Sequence, residues 1–290
     1  MTASDEIPTP KPRDVRRRFE RAAATFDDAD FVHSVTREGL LARLEPVVVT
    51  ANTVVDLGCA TGAATRALAR RFRRAHVVSV DISQAMLARA RRRRPWFARH
   101  SLVQADAAAL PFADHSVDVV FSNLMLPWAP DTAAVFGEVA RVLRAQGLFA
   151  FATLGPDSLD ELRSAWRRVD AGAHVLRFPD MHDVGDAAVR AGLRDPVLDV
   201  DRLSVSYEEP RQLLRDLTAS GARNSLRRRA RSLVAPSRFR EMLAGLESAR
   251  REGLLVFELE LVYGHCWGPG RRAAPGEVRV DANRIGKRRT

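Results

Sequence analysis

The sequence predicts an α/β fold with a mostly parallel central sheet. Short apolar runs rich in β-branched residues recur between residues 53 and 153, and most are followed by a segment with helical periodicity. The runs are apolar at nearly every position, which is typical of strands buried on both faces of a parallel sheet. The predicted strands are residues 53–57, 76–80, 101–105, 117–122 and 147–153, and the predicted helices between them are residues 61–72, 84–93 and 132–143.

The flanking segments predict further structure around this core. Apolar residues recur at helical spacing from residue 13 to 44, which predicts two helices before the first strand. We expect one domain over residues 13–267, between a flexible tail at 1–12 and a disordered tail at 268–290. Within that domain we expect a helical cover at 13–50, a ligand-binding core at 51–153 and a substrate-facing region at 154–267. That last region is predicted to hold helices at 157–169, 181–191 and 210–220, one or two strands at 195–207, an arginine-rich helical stretch at 224–252 and a strand at 254–263.

The composition indicates a soluble, strongly basic protein. The net charge is +10 and arginine supplies almost all of it. Such a charge has three alternative explanations. It can come from solvated helix faces, from the base composition of the genome, or from binding to an acidic partner, whether nucleic acid or an acidic carrier protein. No apolar run is long enough to span a bilayer, the first residues lack the apolar core of a secretory signal, and Cys59 and Cys266 form neither a disulfide framework nor a metal-binding pair. We therefore expect a cytoplasmic protein.

The first strand runs into a glycine-containing turn and a helix, VVDLGCATGAATRALAR at residues 54–70. A Walker loop requires Gly-Lys-Ser/Thr, whereas Gly62 is followed by two alanines, and the G-x-G-x-x-G dinucleotide pattern is also absent. Asp56 precedes Gly58 by two positions, where its carboxylate suits a ligand amino group, and the following helix N-terminus suits a ligand carboxylate. The turn therefore favours an amino-acid moiety over a pyrophosphate.

Polar residues also end the next three strands. Asp81 lies at the end of the second strand, where an acid binds a ribose diol in nucleotide-binding folds, and Asp106 follows the third strand, where it can accept from an exocyclic amine. Asn123 follows the fourth. Either aspartate alone is more often a helix cap, but their order and spacing indicate a ligand at the carboxyl edge of the sheet. An amino acid, a ribose and an adenine together describe S-adenosylmethionine.

The segments DLGCATG, VVSVDIS, ADAAALPF, DVVFSNL and VLRAQGLFAFAT resemble the motif series of class I S-adenosylmethionine-dependent methyltransferases. The resemblance covers about residues 13–153. It implies a Rossmann-like sheet, mostly parallel with an antiparallel last strand, a helical N-terminal cover and lid insertions. The implied cofactor-binding residues are Asp56, Gly58, Cys59, Gly62, Asp81, Ile82, Met86, Ala105, Asp106, Ala107 and Asn123.

Segments outside that core, including RRRFERAAATFDDADFVH, LGPDSLDELRSAWRR and YGHCWGP, resemble the malonyl-acyl-carrier-protein O-methyltransferases of biotin synthesis. A related group, the complex I assembly methyltransferase-like proteins, shares some of them. The first resemblance implies methyl transfer from S-adenosylmethionine to the free carboxylate of the malonyl group, giving S-adenosylhomocysteine and a methyl ester that primes pimeloyl synthesis. It also implies an acidic carrier protein as partner, for which the arginines at 16–18 and 227–229 are the leading patches. A carboxylate is already ionised near neutral pH, so we expect alignment without a general base or a metal.

The resemblance implies five substrate-facing residues. Phe26 stands where the family has tyrosine, and Trp128, preceded by a proline where glutamine is more frequent, covers either adenosine or acceptor unless it is a core aromatic. His174, Arg177 and Phe178 follow the fifth strand, where a lid would close. Arg177 could pair with the malonyl carboxylate, although a surface role fits it better, and His174 could equally cap a helix.

The sequence also suggests three rival functions. The same scaffold methylates other small acids, quinone precursors or protein side chains, and a non-catalytic protein could bind the cofactor without transferring its methyl group. An RNA methyltransferase fits the arginines, but no NPPY-like tetrad follows the fourth strand, so we expect no nucleic-acid substrate. The basic charge alone does not decide among them.

Overall fold

The computed structural model describes residues 9–94, 96, 99–224, 226 and 234–269. Within these residues one sheet contains eight strands, and seven of them follow the order β3-β2-β1-β4-β5-β8-β6, with β7 paired to β8. The strands are β1 (Thr53–Leu57), β2 (His76–Asp81), β3 (His100–Gln104), β4 (Val117–Asn123), β5 (Leu143–Leu154), β6 (Arg194–Tyr207), β7 (Arg250–Arg251) and β8 (Leu254–Trp267). Strands β1 to β5 are parallel, whereas β8 lies antiparallel between β5 and β6. The predicted α/β sheet with an antiparallel last strand is confirmed.

Helices cover both faces of the sheet, and short 3-10 turns at Phe26–Ala29, Leu126–Trp128 and Glu247–Ala249 connect elements. They are α1 (Pro12–Ala22), α2 (Phe31–Leu44), α3 (Ala63–Arg71), α4 (Gln84–Arg92), α5 (Thr132–Val142), α6 (Asp160–Arg167), α7 (Met181–Arg190), α8 (Pro210–Ala219) and α9 (Pro236–Leu246). Helix starts follow local chemistry: Ser83, Asp131 and Asp180 accept backbone N–H groups at the starts of α4, α5 and α7. No helix among the described residues is both long and apolar enough to cross a bilayer.

The core has one cluster on each face of the sheet. One surrounds Phe136, Phe149 and Phe151, whose rings lie 5.0–5.7 Å apart, and the other surrounds Phe121 and Tyr263. All five aromatic side chains are buried. The apolar strands therefore form a floor with packing on both sides, which fixes the positions of the residues at the strand ends.

Two expectations about chain organisation change. Pro10 is buried and bridges to Leu226, so the packed part of the chain begins before the boundary predicted at residue 13. Within the helical stretch predicted at 224–252, the described helix α9 spans Pro236–Leu246, while Asn224 Oδ1 accepts the amide of Leu226 in a turn and Arg250 begins β7. Residues 1–8, 227–233 and 270–290, including the arginines at 227–229, lie outside the described residues.

Candidate active site

The turn after β1 is built on the end of β2. The amides of Gly58 and Cys59 donate to the carbonyl of Val80 at 2.8 and 3.0 Å, and the amide of Ala60 donates to the Asp81 carboxylate at 2.9 Å. Gly58 has φ +76°, and a Cβ there would lie 2.5 Å from the side chain of Met125. These three amides are engaged within the protein, so the turn offers a fixed backbone surface instead of a set of free N–H donors.

The Asp81 carboxylate bonds to the backbone on one side and faces a cavity on the other. Its carboxylate accepts the amides of Ala60 and Ser83 at 2.9 and 2.8 Å, joining the glycine turn to the start of α4. The same side chain also faces a cavity at the carboxyl edge of the sheet. Burial raises the pKa of Asp81 to about 6, although the two amides favour the ionised form. Above that pH the carboxylate offers its remaining lone pairs to a ligand hydroxyl.

This inner cavity has a volume of about 90 Å³. Of the residues predicted to hold the cofactor, Gly58, Asp81, Ile82, Ala105, Asp106, Ala107 and Asn123 line it. Asp106 Oδ1 accepts the amide of Ala108 at 3.0 Å, so this residue also closes a turn. Pro12, Val15 and Phe19 bring α1 over the same space, which makes it smaller than pockets that usually enclose nucleoside-sized ligands.

Four predicted cofactor residues do not line the inner cavity. Asp56 is buried, and its carboxylate accepts the Thr65 hydroxyl at 2.5 Å beneath the turn, so it does not present the acid to a ligand as expected. Burial raises its pKa to about 7. Cys59 packs in an apolar cluster with α4, Gly62 begins α3 with φ +85°, and Met86 is buried against α1. These four residues therefore support the walls of the inner cavity without lining it.

The N-terminal cover is bonded to the turn. Asp27 accepts the Thr61 hydroxyl at 2.6 Å and pairs with Arg93 at 2.7 Å, so the 3-10 turn that follows α1 is tied both to the glycine turn and to the end of α4. Phe26 is buried on the inner cavity and packs against Met86. The cover is therefore an integral wall of the cavity.

A larger outer cavity of about 1120 Å³ lies against the inner one, between α1, α6, α8 and the sheet. Its walls are mainly apolar, and Phe178, Phe239 and Phe257 are among the lining side chains. Arginines from α1 and from the α8 region line it too, and all but Arg18 are exposed: Arg17, Arg18, Arg21, Arg211, Arg215 and Arg223. We refer to these six residues as the arginine rim.

The predicted substrate residues are divided between cavity walls and solvent. Trp128 lines both cavities and packs edge-on against Phe19 at 5.3 Å, and Phe178 is buried on the outer one. His174 lines the outer cavity, but its ring stacks on Trp166 at 3.8 Å and its Nε2 contacts Asp170 at 2.7 Å. Arg177 is exposed and lines neither cavity, so it does not face an acceptor there. The chain direction around the two buried residues that flank it, Leu176 and Phe178, turns this side chain outward.

Sequence reasoning missed the two other residues at the junction of the cavities. His33 and Leu124 line both cavities, together with Trp128. Leu124 has φ +55°, a left-handed conformation that is strained for leucine and that marks functional positions in many proteins. Burial, with a smaller contribution from Arg37, lowers the pKa of His33 to about 4, so its ring is neutral near pH 7. A lone histidine in a helical stretch gave no signal of this position.

Two buried polar atoms at the sites just described have no hydrogen-bond partner among the described residues: His33 Nδ1 and Asn123 Oδ1. Unpaired buried polar atoms are uncommon in native structures, and those that line a cavity indicate a ligand. The acid at the ribose position, the open amide oxygen and the turn with a left-handed glycine fit a nucleoside carrying an amino acid. No cluster of three or more His, Cys, Asp and Glu side chains in the described part of the chain is arranged for a metal ion.

This fold and this site define a class I S-adenosylmethionine-dependent methyltransferase. The pattern of a methyltransferase domain matches residues 55–151. Among solved structures, the YcgJ protein of Bacillus subtilis superposes with a TM-score of 0.58 at 17% identity, over 80% of this chain and 98% of that one. The geranyl diphosphate C-methyltransferase of Streptomyces coelicolor, solved with S-adenosyl-L-homocysteine, gives a TM-score of 0.50 at 17% identity, over 81% and 80% of the two chains. At these identities the likeness shows the fold.

Sequence relatives are much closer. The malonyl-[acyl-carrier protein] O-methyltransferase of Halorhodospira halophila is 45% identical over 283 residues, 96% of either chain. The protein of that name from a Methylovorus species is 43% identical over 90% of either chain. The chain belongs to the malonyl-[acyl-carrier protein] O-methyltransferase family.

Proposed function

We propose that this protein transfers a methyl group from S-adenosylmethionine to the free carboxylate of malonyl-acyl carrier protein. The observation that carries the proposal is the meeting of two cavities: an inner cavity at the strand ends, where Asp81, Asp106 and Asn123 are among the lining residues, and a large apolar outer cavity with an arginine rim. The family relatives bear the name of this activity. The methyl ester formed is an uncharged acyl group that elongation can treat as an ordinary primer for pimeloyl synthesis, and the reducing cytoplasm is where it would act.

The inner cavity supplies the contacts for the cofactor. Asp81 accepts hydrogen bonds from the ribose hydroxyls, and Asp106 and the backbone at Ala107 contact the adenine, while Gly58 allows the ligand close to the backbone. Asp56 acts indirectly, by fixing Thr65 beneath the turn. Since the cavity is narrow under α1, we expect this helix to move outward when the cofactor enters.

The bound cofactor supplies a methyl group activated by a sulfonium. As the bond from that methyl carbon to the carboxylate oxygen forms, the bond to sulfur breaks and its electron pair stays on sulfur, so no proton moves. The chain's own contribution is to align the acceptor and to exclude water, because an anion that approaches a cation in a dry site meets less competing solvation. Leu124 and Trp128 provide apolar surface at the junction where this alignment takes place, and Phe26 provides apolar surface in the adjoining inner cavity.

The outer cavity and its rim suit the carrier-bound substrate. Its apolar walls and volume fit the arm that carries the malonyl thioester, with Phe178 among the lining residues and Trp128 where it meets the inner cavity. The exposed arginines at its mouth, Arg17 and Arg21 from α1 and Arg211 and Arg215 from α8, suit the acidic surface of a carrier protein. Of the two patches expected from the sequence, Arg17 and Arg18 of the first lie in this rim, whereas Arg16 pairs with Glu20.

The test is transfer of labelled methyl from S-adenosylmethionine to malonyl-acyl carrier protein, with succinyl-acyl carrier protein, free malonate and bulk RNA as parallel acceptors. We expect a base-labile ester on malonyl-acyl carrier protein and no label on RNA. Binding of S-adenosylhomocysteine, measured separately by calorimetry, shows whether the preparation is competent. A competent protein that leaves malonyl-acyl carrier protein unlabelled and labels free malonate or another acceptor contradicts the proposed substrate.

A further inference from the structure

The junction of the two cavities is formed by three side chains, those of His33, Leu124 and Trp128. Of these, His33 is the one with a buried polar side-chain atom, Nδ1, that lacks a hydrogen-bond partner among the described residues. An orphaned donor or acceptor of this kind costs stability unless a ligand completes it. His33 therefore lies where an acceptor that enters through the outer cavity would meet the cofactor.

The backbone and ring of His33 are held in position before any ligand arrives. The side-chain amide of Asn123 donates to the carbonyl of His33 at 2.9 Å, and the Thr36 hydroxyl donates to the same carbonyl at 3.2 Å. The ring packs on Phe26, with 4.9 Å between ring centroids. These contacts use the backbone and one ring face and leave Nδ1 without a protein partner.

Resting on the proposed function, we propose that His33 donates a hydrogen bond to the acceptor carboxylate and holds one of its oxygens toward the inner cavity. Arg37, whose charge acts on the His33 ring, does not compete for this role, because it is engaged by Asp30 at 3.3 Å and by Ser34 at 2.8 Å. Arg177, which the sequence offered as a possible partner of the carboxylate, is exposed and lines neither cavity.

A neutral donor suits this reaction. The low pKa of His33 keeps the ring uncharged near pH 7, so it offers one N–H to the anion without forming an ion pair. An ion pair would stabilise the carboxylate most before reaction, when its charge is greatest, and would raise the barrier to attack. A neutral hydrogen bond fixes the direction of the oxygen at a smaller loss of nucleophilicity.

The experiment compares His33→Phe and His33→Asn with wild type in steady-state methyl transfer to malonyl-acyl carrier protein, with S-adenosylhomocysteine affinity measured by calorimetry. Phenylalanine keeps a ring and removes the donor, whereas asparagine places an amide N–H near the position of Nδ1. His265→Phe is the matched control, since His265 is also half-buried with a lowered pKa but lines neither cavity.

We expect His33→Phe to lower kcat by about 10- to 100-fold, because the acceptor oxygen is no longer held toward the inner cavity, with S-adenosylhomocysteine affinity within about twofold of wild type. His33→Asn should recover a large part of kcat, and His265→Phe should match wild type. A kcat within twofold of wild type in His33→Phe, no recovery in His33→Asn, or an equal loss of S-adenosylhomocysteine affinity would overturn the inference. Inactivity of the wild-type enzyme on malonyl-acyl carrier protein would instead overturn the proposed function, and this inference with it.

Discussion

Replacing Asp81 with asparagine is the most direct test of the cofactor site. The two side chains have nearly the same shape, so the change alters hydrogen bonding and charge more than packing. The carboxylate accepts the amides of Ala60 and Ser83, and asparagine can accept only one of them, because its second terminal atom is a donor. A ribose hydroxyl then meets a single, neutral acceptor where a carboxylate would have offered two charged oxygens.

The magnitude follows from these bonds. A hydrogen bond to a charged group contributes about 1.5–3 kcal/mol and a neutral one about 0.5–1.5 kcal/mol, so each weakened ribose bond costs about 1–1.5 kcal/mol and two cost about 2–3 kcal/mol of binding. This corresponds to a Kd for S-adenosylhomocysteine that is about 30- to 140-fold higher. The fold should persist, because the amide left unpaired costs about 1–3 kcal/mol while the removal of a buried charge offsets part of that loss.

Calorimetric titration with S-adenosylhomocysteine measures the effect, and Asp118→Asn is the matched control. Asp118 is as buried as Asp81 and also accepts two backbone amides, those of Asn52 and Thr53, at 2.8 and 2.9 Å, but it lies at the opposite end of its strand from the inner cavity. The control should melt at a lower temperature and keep its ligand affinity. If Asp81→Asn binds S-adenosylhomocysteine with wild-type affinity, Asp81 only holds the turn. If both variants lose the same affinity, the loss comes from a general disturbance of the sheet and not from a contact with the ligand.

Three further outcomes are expected. Arg21→Glu should raise KM for malonyl-acyl carrier protein by about 3- to 10-fold at low salt, with the difference shrinking as salt is added, while Arg73→Glu, an exposed arginine outside both cavities, leaves KM unchanged. Asp56→Asn should become progressively more stable than wild type between about pH 4 and pH 7 in chemical unfolding. In this range the raised pKa keeps Asp56 protonated in the folded wild type, whereas the unfolded chain has lost that proton. The wild type therefore loses up to about 1.4 kcal/mol of unfolding free energy per pH unit as the pH rises. An equal pH dependence in both proteins contradicts this. Gly264→Ala should lose about 1–3 kcal/mol of unfolding free energy, because a Cβ would clash with the buried ring of Phe151, and an unchanged melting temperature would contradict that packing argument.

The grouping of the polar residues at the strand ends was predictable from the sequence, because the topology of a parallel sheet determines it. Once β1 to β4 are parallel, Asp81, Asp106 and Asn123 must come to the same edge of the sheet, and all three line the inner cavity. Their hydrogen bonds were less accessible to prediction, since Asp81 and Asp106 both serve the backbone as well. The start of β5 was predicted at Gly147 and lies at Leu143, because that residue pairs with Val117 across an irregularity in the ladder.

The acceptor side of the site was not predictable in the same way. His33 reaches the junction because α2 crosses the end of β4, and helical periodicity does not determine which strand end a helix crosses. Arg177 shows a related difficulty: it follows β5 as expected, but the direction of its exposed side chain depends on which neighbours are buried. Both outcomes rest on contacts between residues far apart in the chain, which a single sequence does not reveal.

The residue that follows β4 joins the two halves of the site. Leu124 takes a left-handed conformation, and its amide donates to Ala152 at 2.9 Å, so the chain turns sharply at the point where both cavities meet. This turn places Met125 against Gly58, where no Cβ fits, and brings Trp128 to the wall shared by the inner and outer cavities. The glycine of the cofactor turn is thus required by packing from the acceptor side as well as by its own φ of +76°. One continuous backbone segment therefore determines the boundary between the two cavities, which suits the proposed reaction because that reaction depends on alignment.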